Sequence, residues 1–435
     1  MITKIIKQIW NQRRMNGWIF IEVIIAGFFL WTVIDPMYVL MTNHFEPKGY
    51  KEDGRYVLQL GAYGQSHGKR DTTVTNEQRK EAFLRIAQMV KEQPEVDSYY
   101  ICLNRSLPNE GSYNGGQFYA DTASIAEKKS IHAQQFHFYA DTEGDMFHTL
   151  GMIDAYTGKE MKRTSKEGML YVSELFAQKM FGTTQAVGKK VYLWNKQDAE
   201  INGVFKDMKT RDFHGTYPLI IIANPQLRAN DYMHNQALVI FRLKEGVNFD
   251  RFYERFQKEV APHMSQSNFY FKEIKSLADK RVELGTIMGV YSKFRLKSSL
   301  AIFTLLCIFL GMVGTFWIRC NARRQEIGLM RSMGATEARV KKQFLAEAAL
   351  LVTAAFVFSL ILVVNFVVMA DGMSQQSVTG ETSFALVSQW LSPGVQFAIV
   401  SLITYLALLV IALVGTLIPV RRAVKVLPAD ALRDE

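Results

Sequence analysis

Four apolar windows constrain this chain more than anything else in it. They cover residues 17–41, 298–318, 344–370 and 395–420. At ~1.5 Å of rise per residue each is long enough to cross ~30 Å of hydrocarbon as a helix. A lipid interior offers no water to backbone amides, so each window is expected to close its own hydrogen bonds as one transmembrane helix. Residues 42–297, between the first two windows, are ordinary polar sequence and predict a large domain outside the membrane. The first window has the basic start of a signal peptide (Lys4, Lys7, Arg13, Arg14). Its apolar run is longer than a signal core and ends at Asp35-Pro36 without a small-residue cleavage site, so it reads as a retained anchor.

Charge on the flanks sets the expected orientation. Residues 1–16 hold four Lys or Arg, 319–343 hold seven and 421–435 hold four, whereas 371–394 hold none. Positive loops stay in the cytoplasm. The N-terminal segment 1–16, the loop 319–343 and the tail 421–435 are therefore expected in the cytoplasm, and 42–297 and 371–394 outside. The net charge is +10, and the outer residues 42–297, with 36 basic and 31 acidic side chains, account for only +5. Nucleic-acid binding wants a concentrated basic face, which this is not. Of three cysteines, Cys307 and Cys320 belong to the second span and its end. Cys102 stands alone in the outer domain, which must be held by its core and not by disulfides.

Two segments of the outer domain share one grammar. The first reads strand 56–60, helix 75–93, strand 97–103. Thr75 and Gln78 have capping-box spacing, Phe83, Ile86, Ala87 and Val90 line one face, and Pro94 stops the helix. The second reads strand 237–243, helix 248–261, strand 268–274, with Phe249, Phe252, Phe256 and Val260 as the stripe and Pro262 as the stop. The expected fold is thus a membrane protein, α-helical with four transmembrane helices, plus a large α+β extracytoplasmic domain over 42–275. In that domain two β-α-β units flank an inserted mainly-β subdomain at about 105–230, with one helix near 172–181. Leu277, Leu284, Met288, Tyr291 and Phe294 continue as a helical stripe. They predict a stalk helix over 276–297 running unbroken into the second span, about 65 Å in all.

Candidate chemistry is thin. Gly182 to Lys190 superficially resembles a phosphate-binding loop, but has five residues between its glycines and Lys190 where Ser or Thr should hold magnesium. It reads as a turn after a helix. The eight histidines all lie in the outer domain, none at zinc-site spacing. Neither a nucleophile elbow nor a Cys/His pairing stands out. Within the spans, Glu22 and Glu347 lie near cytoplasmic ends, where they can reach water or a basic neighbour, and Asn365 suits an interhelical hydrogen bond. Gly311, Gly314, Ala354, Ala355 and Gly415 are small enough for close helix contact.

The segment 319–343 holds the strongest signal. Helical propensity runs on from the second span through Arg323, Arg324 and Met330 and stops at Gly334; Thr336 can cap a new helix into the third span. Ile327, Met330 and Met333 form a small apolar face, with Arg324, Glu326 and Arg331 beside it. A short two-faced helix in the cytoplasm suits docking into a partner's groove.

Arg323-Arg324-Gln325-Glu326-Ile327-Gly328, then Met330-Arg331-Ser332-Met333-Gly334-Ala335, resembles the permease signature of MacB/FtsX-type ABC transporters. Gln343 to Ala348 fits that family's third span, and Pro419 to Ala423 with Pro428 to Arg433 fits its C-terminus. In the outer domain, Val172 to Ala177, Phe181-Gly182, Ala186 to Lys189 and Asn202 to Asp207 resemble the MacB-type periplasmic core domain. The region before Val172 matches weakly.

The resemblance implies a permease subunit without a fused ATPase. Its coupling residues would be Arg323, Arg324, Glu326, Ile327, Gly328, Met330, Arg331, Met333 and Gly334, docking on a separate cytoplasmic ABC ATPase. ATP and Mg would be bound by that partner, with no cofactor, metal or catalytic residue in this chain. It also implies a second permease subunit, identical or related, a bacterial inner-membrane location with both termini cytoplasmic and the large domain periplasmic, and an optional periplasmic adaptor and outer-membrane channel. The implied task is mechanotransmission for efflux of peptides or small toxic compounds, with lipoprotein release as the alternative in the same superfamily. A membrane-anchored ligand sensor is the alternative of another class, and would need a cytoplasmic output domain.

Overall fold

The computed structural model describes residues 13–64, 67–110, 114–140, 143–163, 170–192, 198–227, 237–369 and 393–424. Most of the loop expected at 371–394, the tail beyond 424 with its Pro428 to Arg433 motif, and the first twelve residues lie outside them. The chain forms two compact units, Asn43–Met288 and the combination of Met1–Thr42 with Gly289–Glu435.

The first unit is built on a mixed sheet. In chain order the strands are β1 (Arg55–Ala62), β2 (Val96–Leu103), β3 (Asn114–Phe118), β4 (Ile131–Tyr139), β5 (Leu170–Ser173), β6 (Lys190–Tyr192), β7 (Asp198–Phe205), β8 (Leu219–Asn224), β9 (Leu238–Leu243) and β10 (Phe269–Ser276). Their spatial order is β10-β1-β9-β2-β4-β8-β5-β7-β6, with β3 on β4. The two β-α-β halves expected from the sequence therefore interleave. β9 pairs antiparallel with both β1 and β2, and β10 closes on β1, which is a split β-α-β sandwich.

The two helices form where their caps and stripes predict. Thr75 Oγ1 accepts from the Gln78 amide at 3.2 Å and Gln78 Oε1 accepts from the Thr75 amide at 2.9 Å, opening the helix Asn76–Lys91. Asn248 opens Phe249–Glu259 by accepting from the Arg251 amide at 3.1 Å. Phe83, Ile86, Ala87 and Val90 of one helix and Phe252 and Phe256 of the other share a core with Ile101, Val239 and Phe241 of the sheet. Burying six such side chains supplies roughly 1.5–3 kcal/mol for each large one, the main force holding helices to strands. Cys102 lies in a second core with Tyr100, Phe136, Phe138, Phe147 and Tyr171. There, burial pushes its thiol up to about 12.

The inserted block supplies β3 to β8, strands as its composition implies. Composition could not show that they extend the same sheet: β2 reaches β4 through Cys102 opposite Phe138 and Leu103 opposite His137. The motifs that carried the outer-domain resemblance are structural. Ser173 Oγ accepts from the Phe176 and Leu219 amides, and Asp207 Oδ1 accepts from the Leu175 amide at 2.8 Å at the start of the helix Glu174–Phe181. A side chain at Gly203 would meet Met161 Cε at 2.6 Å and Tyr171 at 3.0 Å.

Among the described residues the second unit holds four helices long and apolar enough to cross a membrane, Gly17–Phe45, Val290–Ala322, Glu337–Met369 and Gly394–Val424. They share one core of Ile19, Val23, Leu30, Ile308, Met312, Phe316, Val352, Ala355, Leu408 and Ala412. Small residues set the closeness. Added carbon at Gly415 would stand 3.3 Å from the Phe309 carbonyl, and at Gly311 it would strike Glu22 Oε1 at 1.8 Å. Gly314 faces open space. Asn365 does not bridge helices. Its Nδ2 donates to the Ile361 carbonyl one turn back at 2.7 Å, the satisfaction open to any polar side chain on a helix in lipid.

The expected unbroken stalk is two helices, Leu277–Ile287 and Val290–Ala322. The break falls at Gly289, φ +67°, a left-handed position that glycine adopts without steric cost and that ends helices. The apolar stripe crosses the break, which is why periodicity alone misses it.

Candidate coupling segment

The site is the polar turn between the second and third spans. The second-span helix ends at Ala322, and Arg323 follows with φ −108° and ψ 19°. The nine-residue helix Arg324–Ser332 then begins. The expected continuous helix is thus broken at Arg323. Its side chain holds the turn. Nη1 donates to Glu347 Oε2 at 2.9 Å and Oε1 at 3.3 Å, while Nε and Nη2 donate to the two oxygens of Glu326 at 2.7 and 3.0 Å. The guanidinium lies 4.6 Å over the Phe344 ring. Arg319, in the last turn of the second-span helix, donates to the same Glu347 at 3.2 Å and lies over Phe316. Arg319 and Glu347 are fully buried. Ions taken from water in this way persist only when paired and hydrogen-bonded.

The stop at Gly334 is made as its position predicts. Its amide donates to the Arg331 carbonyl at 3.1 Å, and the Ala335 amide reaches back to Met330 at 3.0 Å. That is a Schellman closure, with Gly334 at φ +89°. Thr336 Oγ1 accepts from the Arg339 amide at 3.3 Å, starting the third-span helix.

The family description "FtsX-like permease C-terminal" matches residues 298–428, which include this whole segment. Over those residues the chain is similar to FtsX-like permeases. Among solved structures, the chain is similar to the periplasmic region of MacB from Actinobacillus actinomycetemcomitans (11% identity, 55% of this chain and 97% of that one, TM-score 0.32). It is also similar to the extracellular domain of the noncanonic ABC-type transporter YknZ from Gram-positive bacteria (11% identity, 50% of this chain and 100% of that one, TM-score 0.29). No curated protein matches it by sequence.

The chain does not present the nine residues Arg323, Arg324, Glu326, Ile327, Gly328, Met330, Arg331, Met333 and Gly334 as one face. Ile327 is buried with Cys320, Val340, Phe344, Val420 and Val424, and Met330 packs against that cluster half-buried. The apolar face expected to point outward is therefore largely the helix's own anchor, because the ends of three spans leave an apolar hollow that Ile327 fills. Gly328 and Arg323 are also buried, Arg324 and Arg331 are half-buried, and Glu326, Met333 and Gly334 are exposed. Arg331 lies 3.7 Å from Glu337. What projects outward is Gln325, Glu326, Leu329, Ser332 and Met333, with Leu329 51% and Met333 72% exposed. These positions recur at helical spacing, so they form one face. Leu329, outside the nine residues, shares this exposed face because Ile327 turns inward.

The other unit has its own polar knot, at the chain segments that lead to the spans. Glu52 accepts from Lys48 at 2.8 Å, from the Tyr50 hydroxyl at 3.1 Å and from Arg281 Nε at 3.2 Å. Asn109 donates to the Tyr50 hydroxyl at 2.9 Å and accepts from the Asp212 amide at 3.0 Å. Asp212 pairs with His44 at 2.7 Å. Lys209 donates to the carbonyls of Asn43 and Asp212, and Lys280 pairs with Glu110 at 3.0 Å. Burial holds Lys209 below the usual lysine range and lifts Tyr50 well above the usual phenol value. The knot thus ties residues 43–52, which follow the first span, and Lys280 and Arg281 of the helix Leu277–Ile287, which precedes the second, to one loop at 209–212. Among the described residues no three His, Cys, Asp or Glu side chains are placed to hold a metal ion.

Proposed function

We propose that this chain is the permease subunit of a MacB-like ABC transporter, working with a separate cytoplasmic ATPase that binds the ATP and Mg. The observation that carries the reading is the FtsX-like match over a segment whose nine-residue helix turns Leu329 and Met333 outward. ATPase closure would push on this face, and the spans would pass the motion to the sheet unit outside the membrane. In this reading the basic flanks are cytoplasmic, the membrane is the bacterial inner one, and a second permease subunit completes the complex. The cargo class we favour is peptides or small toxic compounds, passed to an adaptor and outer-membrane channel. Lipoprotein release is the second use of the same lever.

The test is co-purification of the full-length permease with its co-encoded ATPase. Leu329→Asp with Met333→Asp is expected to abolish the complex while leaving the melting temperature of the permease alone unchanged. A complex that survives both substitutions overturns the docking face. Ile327→Asp is no substitute for this pair, since it buries a charge in the permease's own core.

A further inference from the structure

We propose that Arg323 is a positioning residue: it fixes the orientation of the helix Arg324–Ser332 against the third span, with Glu347 as its anchor and Glu326 as its grip on the helix. The proposal rests on the reading of that helix as the ATPase-docking element.

Three observations carry it. First, the helical backbone is interrupted at Arg323, so the nine-residue helix is not a rigid extension of the second span. Second, its apolar anchor is small: Ile327, with Met330 half-buried. Apolar contact is non-directional and holds the helix down without setting its rotation. Third, the Arg323 guanidinium spends both edges at once. One edge grips Glu326 through two donors at 2.7 and 3.0 Å, the other reaches Glu347, and the flat face lies on Phe344. A planar fork with charge-assisted bonds on two sides fixes angle as well as distance. Glu326 also lies in the first turn of its helix, where negative charge is favoured by the helix dipole. Rotation of the helix would have to break the Glu326 grip before it could turn Leu329 and Met333 away from a partner.

Arg319 supplies the control. It donates to Glu347 at 3.2 Å from the last turn of the second-span helix, on the other side of the break from Arg324–Ser332. R319M leaves Glu347 paired with Arg323 and the grip intact. R323M leaves Glu347 paired with Arg319 and the grip gone. The two variants thus lose one guanidinium each from the same carboxylate and differ in whether the Arg323–Glu326 bonds at the start of the helix remain.

The experiment places spin labels at Ser332→Cys and Lys342→Cys, both exposed sites, in full-length permease whose exposed Cys307 is Ser. The distance distribution between the labels is then measured beside the melting temperature. R319M is expected to keep the narrow distribution of the parent protein, and R323M to broaden it, at similar melting temperatures. Where R323M does not fold, R323K replaces it. Its ammonium can neutralise Glu347 but cannot fork between two carboxylates, so the same broadening is expected. Equal distributions in the Arg319 and Arg323 variants overturn the proposal. A parallel assay reads ATPase stimulation by each variant, expected to fall only where the distribution broadens. If the parent permease neither binds nor stimulates the ATPase, the functional reading fails, while the label distances still decide the role of Arg323.

Discussion

The two polar knots make the same kind of junction in opposite ways. Each lies where apolar helices meet polar chain. In the sheet unit the load is shared: Glu52 has four polar neighbours, and Lys209 is held by two backbone carbonyls. In the segment 319–343 one buried carboxylate, Glu347, meets two buried guanidiniums, Arg319 and Arg323, and Arg323 also holds the exposed Glu326. A shared network can lose one member and rearrange. A smaller cluster around one buried carboxylate has fewer partners to rearrange, and both cations it faces are buried.

The widest test of that contrast is removal of the central carboxylate on each side. Glu347→Ala takes a buried carboxylate from Arg319 and from Arg323, which keeps Glu326, and is expected to cost ~3–5 kcal/mol, the range for breaking a buried pair from one side. Glu52→Ala is expected to cost only about 1–3 kcal/mol, because its partners retain one another or reach water. Denaturation of the purified protein, followed separately in the two units by local fluorescence, measures both; equal losses would erase the distinction.

Two glycines at positive φ sharpen it next. Gly49, φ +75°, lies against the 207–209 segment so closely that an added carbon would stand 2.1 Å from the Asp207 carbonyl, whereas Gly289, φ +67°, has nothing within 4 Å. Gly49→Ala therefore suffers a backbone collision as well as conformational strain, and the sheet unit is expected to lose more than ~2 kcal/mol. Gly289→Ala meets strain alone, about 1–2 kcal/mol, relievable by extending the helix. Paired melting curves rank the two, and a Gly289 variant as damaging as the Gly49 one would show that the break is as tightly mounted as the knot.

Mild acid gives the smallest separation. His214 is buried beside Arg211 and Lys209, and burial first, then those cations, hold its imidazole down to about 3. An unfolded chain binds that proton from about pH 6.5 downward and the folded one does not. Stability from this group is therefore full above about 6.5 and falls toward pH 3, by up to ~1.4 kcal/mol per pH unit. Melting temperature against pH should fall less steeply for His214→Gln than for the parent, and identical slopes would remove His214 from the acid response.

Much of this architecture was legible locally. The spans follow from apolar run length, the starts at Thr75 and Asn248 from cap chemistry, and the stop at Gly334 from the need for a left-handed residue. These are determined by residues within a few positions of each other. The breaks at Gly289 and Arg323 were not legible, since an apolar stripe continues across the first and good helix formers flank the second. The stripe also left the rotation of the helix Arg324–Ser332 open: Ile327 and Leu329 are equally apolar, and only one of them meets a hollow.

By itself, then, the sequence determined the element types, the two β-α-β halves and the position of the short polar helix between the second and third spans, because backbone sterics, capping and hydrocarbon thickness act over short stretches of chain. The tertiary structure alone decided that β9 enters between β1 and β2, that Ile327 turns inward and Leu329 outward, and that Glu347 meets Arg323 and Arg319 from 24 and 28 residues away. The physical reason is that partners so far apart are chosen by which packing buries the most apolar surface while leaving no charge alone, and that choice belongs to the whole assembly of helices and strands.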